Sequence, residues 1–221
     1  MRCVIFDLDG TLADTAGDLI AAANAALQVM GHAPQLRHGA DDAVAFRGGR
    51  AMLRLAAERM ELPGGEAMVE VGYPILLAAY GQAIDTHTTL YPGAMSAVER
   101  LKNNGIAVGI CTNKPEALAE QLLARLGIRD AFASMIGADT LPTRKPDPAP
   151  FFEAVRRAGG DRARACLIGD TVTDRETARA AGVPSVLVTF GPAGRRVADL
   201  EPEATIDHYD ALDDVIASLL R

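Results

Sequence analysis

Tryptophan is absent from this 221-residue chain, cysteine occurs three times, and 22 Lys and Arg are outnumbered by 29 Asp and Glu. The shortage of positive charge, a formal net charge of −7, excludes a global basic field for nucleic acid or an anionic membrane. An anionic ligand therefore needs a locally positive site. Three cysteines without CxxC spacing argue against a disulfide framework or a zinc site. Each lies in an apolar, strand-like run, which reads as a small buried thiol in a reducing cytoplasm. No apolar run approaches the ~20 residues of a membrane helix. The run Cys3–Phe6 before Asp7 is also too short for a signal peptide, so the expected location is cytoplasmic.

What is present is the composition of a globular protein, 49% hydrophobic and 23% charged. Short apolar runs, Cys3–Phe6, Ile106–Cys111, Ala133–Ile136, Cys166–Ile168 and Ser185–Thr189, alternate with helical periods that end at Gly105, Gly127, Gly159 and Gly182. Continuous rather than alternating apolar runs imply strands buried on both faces. The expected fold class is therefore α/β, a Rossmann-like parallel sheet core with helices on both faces. Residues 15–88 interrupt that rhythm with helical stretches at about Ala16–Met30, Asp42–Met60 and Glu66–Ala83 and no strand. They read as an inserted all-helical cap subdomain, and residues 1–14 with 89–221 as a discontinuous catalytic core.

In such a sheet, ligands bind beyond the carboxyl ends of the strands. The residues there form a chemically coherent set: Asp7, Asp9, Gly10 and Thr11 after the first run, and Thr112, Asn113 and Lys114 after the second. Lys145 precedes the fourth run, and Asp170 and Asp174 follow it. If the first strand continues to Asp9, Asp7 and Asp9 share a side and Asp170 joins them from a neighbouring strand. Charges 4 Å apart interact by about 4 kcal/mol at an effective dielectric of 20, so clustered carboxylates call for a hard cation. Mg²⁺ suits a few carboxylates, waters and a phosphate oxygen. Lys145 and the Thr112 hydroxyl suit a phosphate, which makes this an inventory for phosphoryl transfer.

Asp7-x-Asp9-Gly10-Thr11, Thr112, Lys145 and Gly169-Asp170-x3-Asp174 resemble the four motifs of the haloacid dehalogenase-like hydrolases, in order and over nearly the whole chain. Within that family, the segments Thr89–Gly93, Thr112–Pro115, Gly137–Pro142 and Arg144–Pro148 look most like bacterial phosphoglycolate phosphatases. The resemblance implies Asp7 as nucleophile through an aspartyl-phosphate, and Asp9 as acid and then base. It implies Mg²⁺ held by Asp7, the Asp9 backbone carbonyl and Asp170, with Asp174 holding a metal-bound water or Lys145. Thr112, the Asn113 backbone and Lys145 would bind the phosphoryl oxygens, with Gly10 and Thr11 lining the substrate site.

Other residues have two readings each. Thr11 either serves Asp9 or caps the turn, and Lys114 is either a solvent-facing lysine or a ligand contact. Most cap arginines read as solvated helix faces. The exception is Phe46-Arg47-Gly48-Gly49-Arg50, where two glycines permit close approach and Arg47 and Arg50 could grip a substrate carboxylate. His32, His38 and His87 read as surface residues, and Arg195 and Arg196 either border the site or face solvent. The expected partner is a small phosphorylated metabolite, with no nucleic acid and no membrane, and the chain is expected to be a monomer or homodimer. A sugar phosphate such as N-acetylmuramate 6-phosphate is the alternative substrate. A phospho-accepting receiver is disfavoured by the cap and Asp9. A dinucleotide-binding module is disfavoured because no GxGxxG follows the first run.

Overall fold

In the computed structural model, which describes residues 1–221, the first apolar run becomes β1 (Cys3–Phe6), buried over its whole length. Then follow β2 (Ala13–Asp14), α1 (Ala16–Val29), α2 (Asp42–Ala45), α3 (Gly49–Arg59), α4 (Gly65–Gln82) and β3 (Thr89–Leu90). The second half alternates: α5 (Ala94–Asn103), β4 (Ala107–Cys111), α6 (Glu116–Arg125), β5 (Ser134–Ile136), α7 (Ala149–Arg157), β6 (Ala165–Gly169) and α8 (Val172–Ala181). It ends with β7 (Ser185–Val188), β8 (Ala204–Ile206) and α9 (Leu212–Leu219). Two compact units result, Met1–Ala13 with Leu90–Arg221, and Asp14–Thr89.

The first unit holds a six-stranded sheet in the order β5-β4-β1-β6-β7-β8, parallel throughout. β1 is central, with Phe6 level with Ile110 of β4 and Ile168 of β6. Alternation along β1 sends Cys3 and Ile5 to one face and Val4 and Phe6 to the other. Cys3 and Ile5 join a core with Phe151, Ala154 and Val155 of α7 and Ala178 of α8. The spacing of those α7 residues makes one apolar stripe. On the other face Phe6 meets Tyr209, their ring centroids 6.4 Å apart, and α5 packs on β4 and α9. All three cysteines are buried and unbridged, and burial raises the Cys3 and Cys111 thiols to about 12, out of the reactive range. β8 has no counterpart among the apolar runs of the sequence. It is a three-residue edge strand, only its Ile206 is buried, and it therefore leaves little hydrophobic signal.

In the second unit α1 and α3 both pack on α4. The single helix expected over Asp42–Met60 is two helices, because the chain turns at Gly48 with φ +94°, a conformation open to glycine and strained for other residues. The arginines of α3 are not simply solvated. Arg59 holds Asp41 at 2.6 and 2.9 Å, Arg54 holds Glu66 at 2.6 and 3.1 Å, and Arg50 pairs with Glu70, so α3 is tied to α4 and to the start of α2. Buried Asp18 in the first turn of α1 accepts from the backbone N–H groups of His87 and Thr88 and from the Thr88 hydroxyl, at 2.7 to 3.0 Å. No helix of either unit is long and apolar enough to cross a membrane.

Candidate active site

Three loops leave the carboxyl ends of adjacent strands β4, β1 and β6, and the sheet brings them together. The Asp7 N–H continues the ladder to the Ile168 carbonyl at 2.8 Å, and the Thr112 N–H to that of Ile136 at 2.9 Å. Asp7, Asp170 and Asp174 are all buried, and one oxygen from each lies within 4.8 Å of the others. Two glycines make that convergence possible. A Cβ on Gly10, which has φ +79°, would stand 2.4 Å from an Asp170 oxygen, and one on Gly169 would stand 2.4 Å from Asp174 Cβ. Gly10, expected to touch substrate, thus has a steric reason of its own to be glycine.

Lys145 Nζ lies 2.6 Å from Asp174 Oδ1 and 3.1 Å from Asp7 Oδ2. The other oxygen of Asp174 accepts from the N–H groups of Asp170 and Thr171 and from the Thr171 hydroxyl, closing a capping box at the start of α8. Of the two roles the sequence left to Asp174, the one seen here is holding Lys145. Thr11 donates its hydroxyl to Asp170 Oδ1 at 2.8 Å, so it serves neither of its two expected partners, Asp9 or the turn. Its own carbonyl accepts from the Tyr209 hydroxyl at 2.8 Å, a support 198 residues distant and without local sequence signal.

The electrostatics follow from burial. Desolvation, then the charges of Asp174 and Asp9, push Asp7 up to about 7 against the pull of Lys145. Asp170 is raised well above the usual carboxylate range, by burial first and then by Asp174 and Asp7. Burial works against the Lys145 ammonium, yet Asp174 and Asp7 outweigh it and hold its pKa above the usual lysine value. When all are ionised, three carboxylates facing one ammonium leave two negative charges uncompensated, the charge of one divalent cation. An all-oxygen set of this kind fits a hard ion such as Mg²⁺.

β1 ends at Phe6, so the strand does not carry Asp9 alongside Asp7. The Asp9 carboxylate stands outside the trio, bound by Lys114 Nζ at 2.8 and 2.9 Å. Lys114 is accordingly a buried partner of Asp9 and not a solvent-facing lysine. Thr112 is buried, and its oxygen accepts from the Lys114 N–H at 3.2 Å; Asn113 is exposed, and its amide donates to the Lys145 carbonyl at 2.9 Å. Arg47 and Arg50 belong to the helical unit. Arg47 is exposed, while Arg50 is engaged by Glu70 and lies 4.3 Å over the Tyr73 ring. Arg195 and Arg196 face solvent.

Compared with known proteins, residues 4–188 match the family described as haloacid dehalogenase-like hydrolase. A protein of Mesorhizobium japonicum named phosphoglycolate phosphatase is 40% identical over 222 residues, covering 98% of this chain and 95% of that protein. One of the same name from Agrobacterium fabrum is 37% identical over 208 residues, covering 94% and 89%. The crystal structure of a predicted phosphoglycolate phosphatase from Haemophilus somnus aligns with a TM-score of 0.81 at 26% identity, covering 97% of both chains.

Proposed function

The chain belongs to the haloacid dehalogenase-like hydrolase family and is a phosphatase, and from that premise we propose that it converts 2-phosphoglycolate to glycolate and phosphate with Asp7 as nucleophile. The observation that carries the chemistry is the convergence of Asp7, Asp170, Asp174 and Lys145 at the ends of adjacent strands. Near full-length relatives of that name support the substrate.

An Asp7 oxygen attacks phosphorus while the bond to the ester oxygen breaks, and Asp9 gives its proton to the departing alkoxide. Asp9 then takes a proton from water, whose oxygen attacks the aspartyl-phosphate, returns the bonding pair to Asp7 and releases phosphate. Lys145 neutralises negative charge beside Asp7, and the Thr112 hydroxyl and Asn113 N–H donate to the phosphoryl oxygens as charge spreads over them. Asp7, Asp170 and the Asp9 backbone carbonyl, with Asp174 beside them, would hold Mg²⁺, which supplies charge neutralisation for the phosphoryl group. Residues 15–88 act as a cap, and Arg47 and Arg50 serve substrate choice. Arg47→Ala or Arg50→Ala is expected to raise KM for 2-phosphoglycolate while sparing kcat.

The test is the initial rate of phosphate release with Mg²⁺ from 2-phosphoglycolate, glucose 6-phosphate, N-acetylmuramate 6-phosphate and pyrophosphate. A preference for 2-phosphoglycolate of about a hundredfold in kcat/KM is expected, or about 2.7 kcal/mol of differential transition-state binding. Flat or sugar-favouring rates would keep the phosphatase and discard this substrate.

A further inference from the structure

Nothing in the steps above uses the second buried lysine. The two lysines divide the site between them: Lys145 contacts Asp7 and Asp174, on the nucleophile's side, whereas Lys114 bridges both carboxylate oxygens of Asp9 at 2.8 and 2.9 Å. The Lys114 side chain is only 3% exposed, against 18% for that of Asp9. We propose that Lys114 is a positioning residue that holds the Asp9 carboxylate for proton transfer to the leaving group and from the hydrolytic water. This rests on the phosphatase reading and on Asp9 as its acid and base.

The backbone at Lys114 is fixed on three sides. Its N–H donates to the Thr112 hydroxyl at 3.2 Å, and its carbonyl accepts from the Ala138 N–H at 2.9 Å. Pro115, with φ −51°, follows it and starts α6, and a proline restricts the residue before it to extended conformations. The lysine stem therefore starts from a defined point. Asp9 lies beyond the end of β1, in a turn whose backbone is closed by the Gly10 N–H on the Ala13 carbonyl at 2.9 Å and the Ala13 N–H on the Leu8 carbonyl at 3.1 Å, and its side chain reaches from that turn to Lys114. An ammonium carries three donors on a rotatable stem. It can bridge both oxygens, then stay on one while the other gives or takes a proton. Proton transfer demands hydrogen-bond geometry, and a misplacement of 1 Å can cost about a hundredfold in rate.

Lys114→Met keeps an unbranched side chain as far as Cε and removes the ammonium with its donors. Two esters separate the roles: ethyl phosphate needs a proton on its departing alkoxide, whereas p-nitrophenyl phosphate departs as a stable phenolate without one. In the variant, kcat/KM for ethyl phosphate is expected to fall about 10- to 100-fold, while the rate of the pre-steady-state p-nitrophenolate burst stays within about threefold of wild type. The later steady state slows, because Asp9 must still activate water. In an Asp9→Asn background, Lys114→Met is expected to add no further loss on ethyl phosphate, since both changes then act through one group. Equal losses on both esters, or a further loss in the Asp9→Asn background, would overturn the proposal. So would a loss seen with 2-phosphoglycolate and absent with ethyl phosphate, which would make Lys114 a contact for the substrate carboxylate. Failure of wild type to prefer 2-phosphoglycolate leaves this comparison intact. Failure of wild type to release phosphate from 2-phosphoglycolate and from both esters alike removes the catalytic reading of the site and this proposal together.

Discussion

A carboxylate buried among carboxylates is unfavourable alone, and Asp7 has that position because its neighbours compensate. Burial and the charges of Asp174 and Asp9 raise it to about 7, while Lys145 at 3.1 Å pulls the other way. The same arrangement suits a nucleophile that must be ionised once a cation and a phosphate are in place. Asp7→Asn is expected to lower kcat by at least about 10⁴-fold, the scale of losing a catalytic group that acts as part of a unit. Its circular dichroism spectrum and unfolding midpoint should stay close to wild type, because amide and carboxylate have nearly the same shape. Turnover retained in that variant would remove Asp7 as nucleophile. Thr11 and Gly10 matter through Asp170, one by donating to it and the other by leaving it room.

Arg175 ties α8 to β7 and to the segment that leads into β8. From α8 it donates to Ser185 at the start of β7, to the carbonyls of Leu200 and Glu201, and to Glu203 beside β8, at 2.6 to 3.3 Å. Burial works to raise the Glu203 pKa, yet hydrogen bonds from the Ser185 N–H and from Arg175 hold it below the usual range. A carboxylate lowered in the folded state adds stability above its unfolded pKa of about 4.3, and that stability fades as pH falls through the folded value. Glu203→Gln is thus expected to cost on the order of 1 kcal/mol near pH 7, a modest figure because the carboxylate keeps partial contact with water. Urea unfolding of both proteins from pH 7 to pH 3 checks it. The gap should narrow with acidity, and a gap independent of pH would show that the charge contributes nothing.

Taken as a whole, the molecule carries a net charge of −7 and concentrates three of its carboxylates in one buried cluster of the sheet unit. A ligand that binds the folded chain alone stabilises it by mass action, about 2.7 kcal/mol at a hundred times its Kd. For a protein of this size that is a rise of about 5–10 °C in Tm. Calorimetry with MgCl₂ against EDTA should show such a rise for wild type and a much smaller one for Asp170→Asn. Equal midpoints in the two buffers would remove the trio as a cation site.

The strands were legible because a parallel sheet buries both faces of each one, and Cys3–Phe6 and the runs at 107–111 and 185–188 are apolar at nearly every position. Site residues were legible for a related reason: polar side chains directly after such runs stand at the sheet's carboxyl edge. The sequence alone therefore determined the α/β class, the helical insertion, and the candidates Asp7 and Asp170. It had no means of deciding which side chains meet. That Thr11 serves Asp170 and that Lys114 grips Asp9 depend on β4, β1 and β6 lying side by side, and that Tyr209 props the Thr11 carbonyl depends on where the segment before α9 packs. The break between α2 and α3 was equally hidden, since a helical period runs on through Gly48 until its φ of +94° is seen. Pattern records whether a position is buried or exposed, whereas a partner more than a hundred residues away is chosen by strand order, and strand order exists only once the chain has folded.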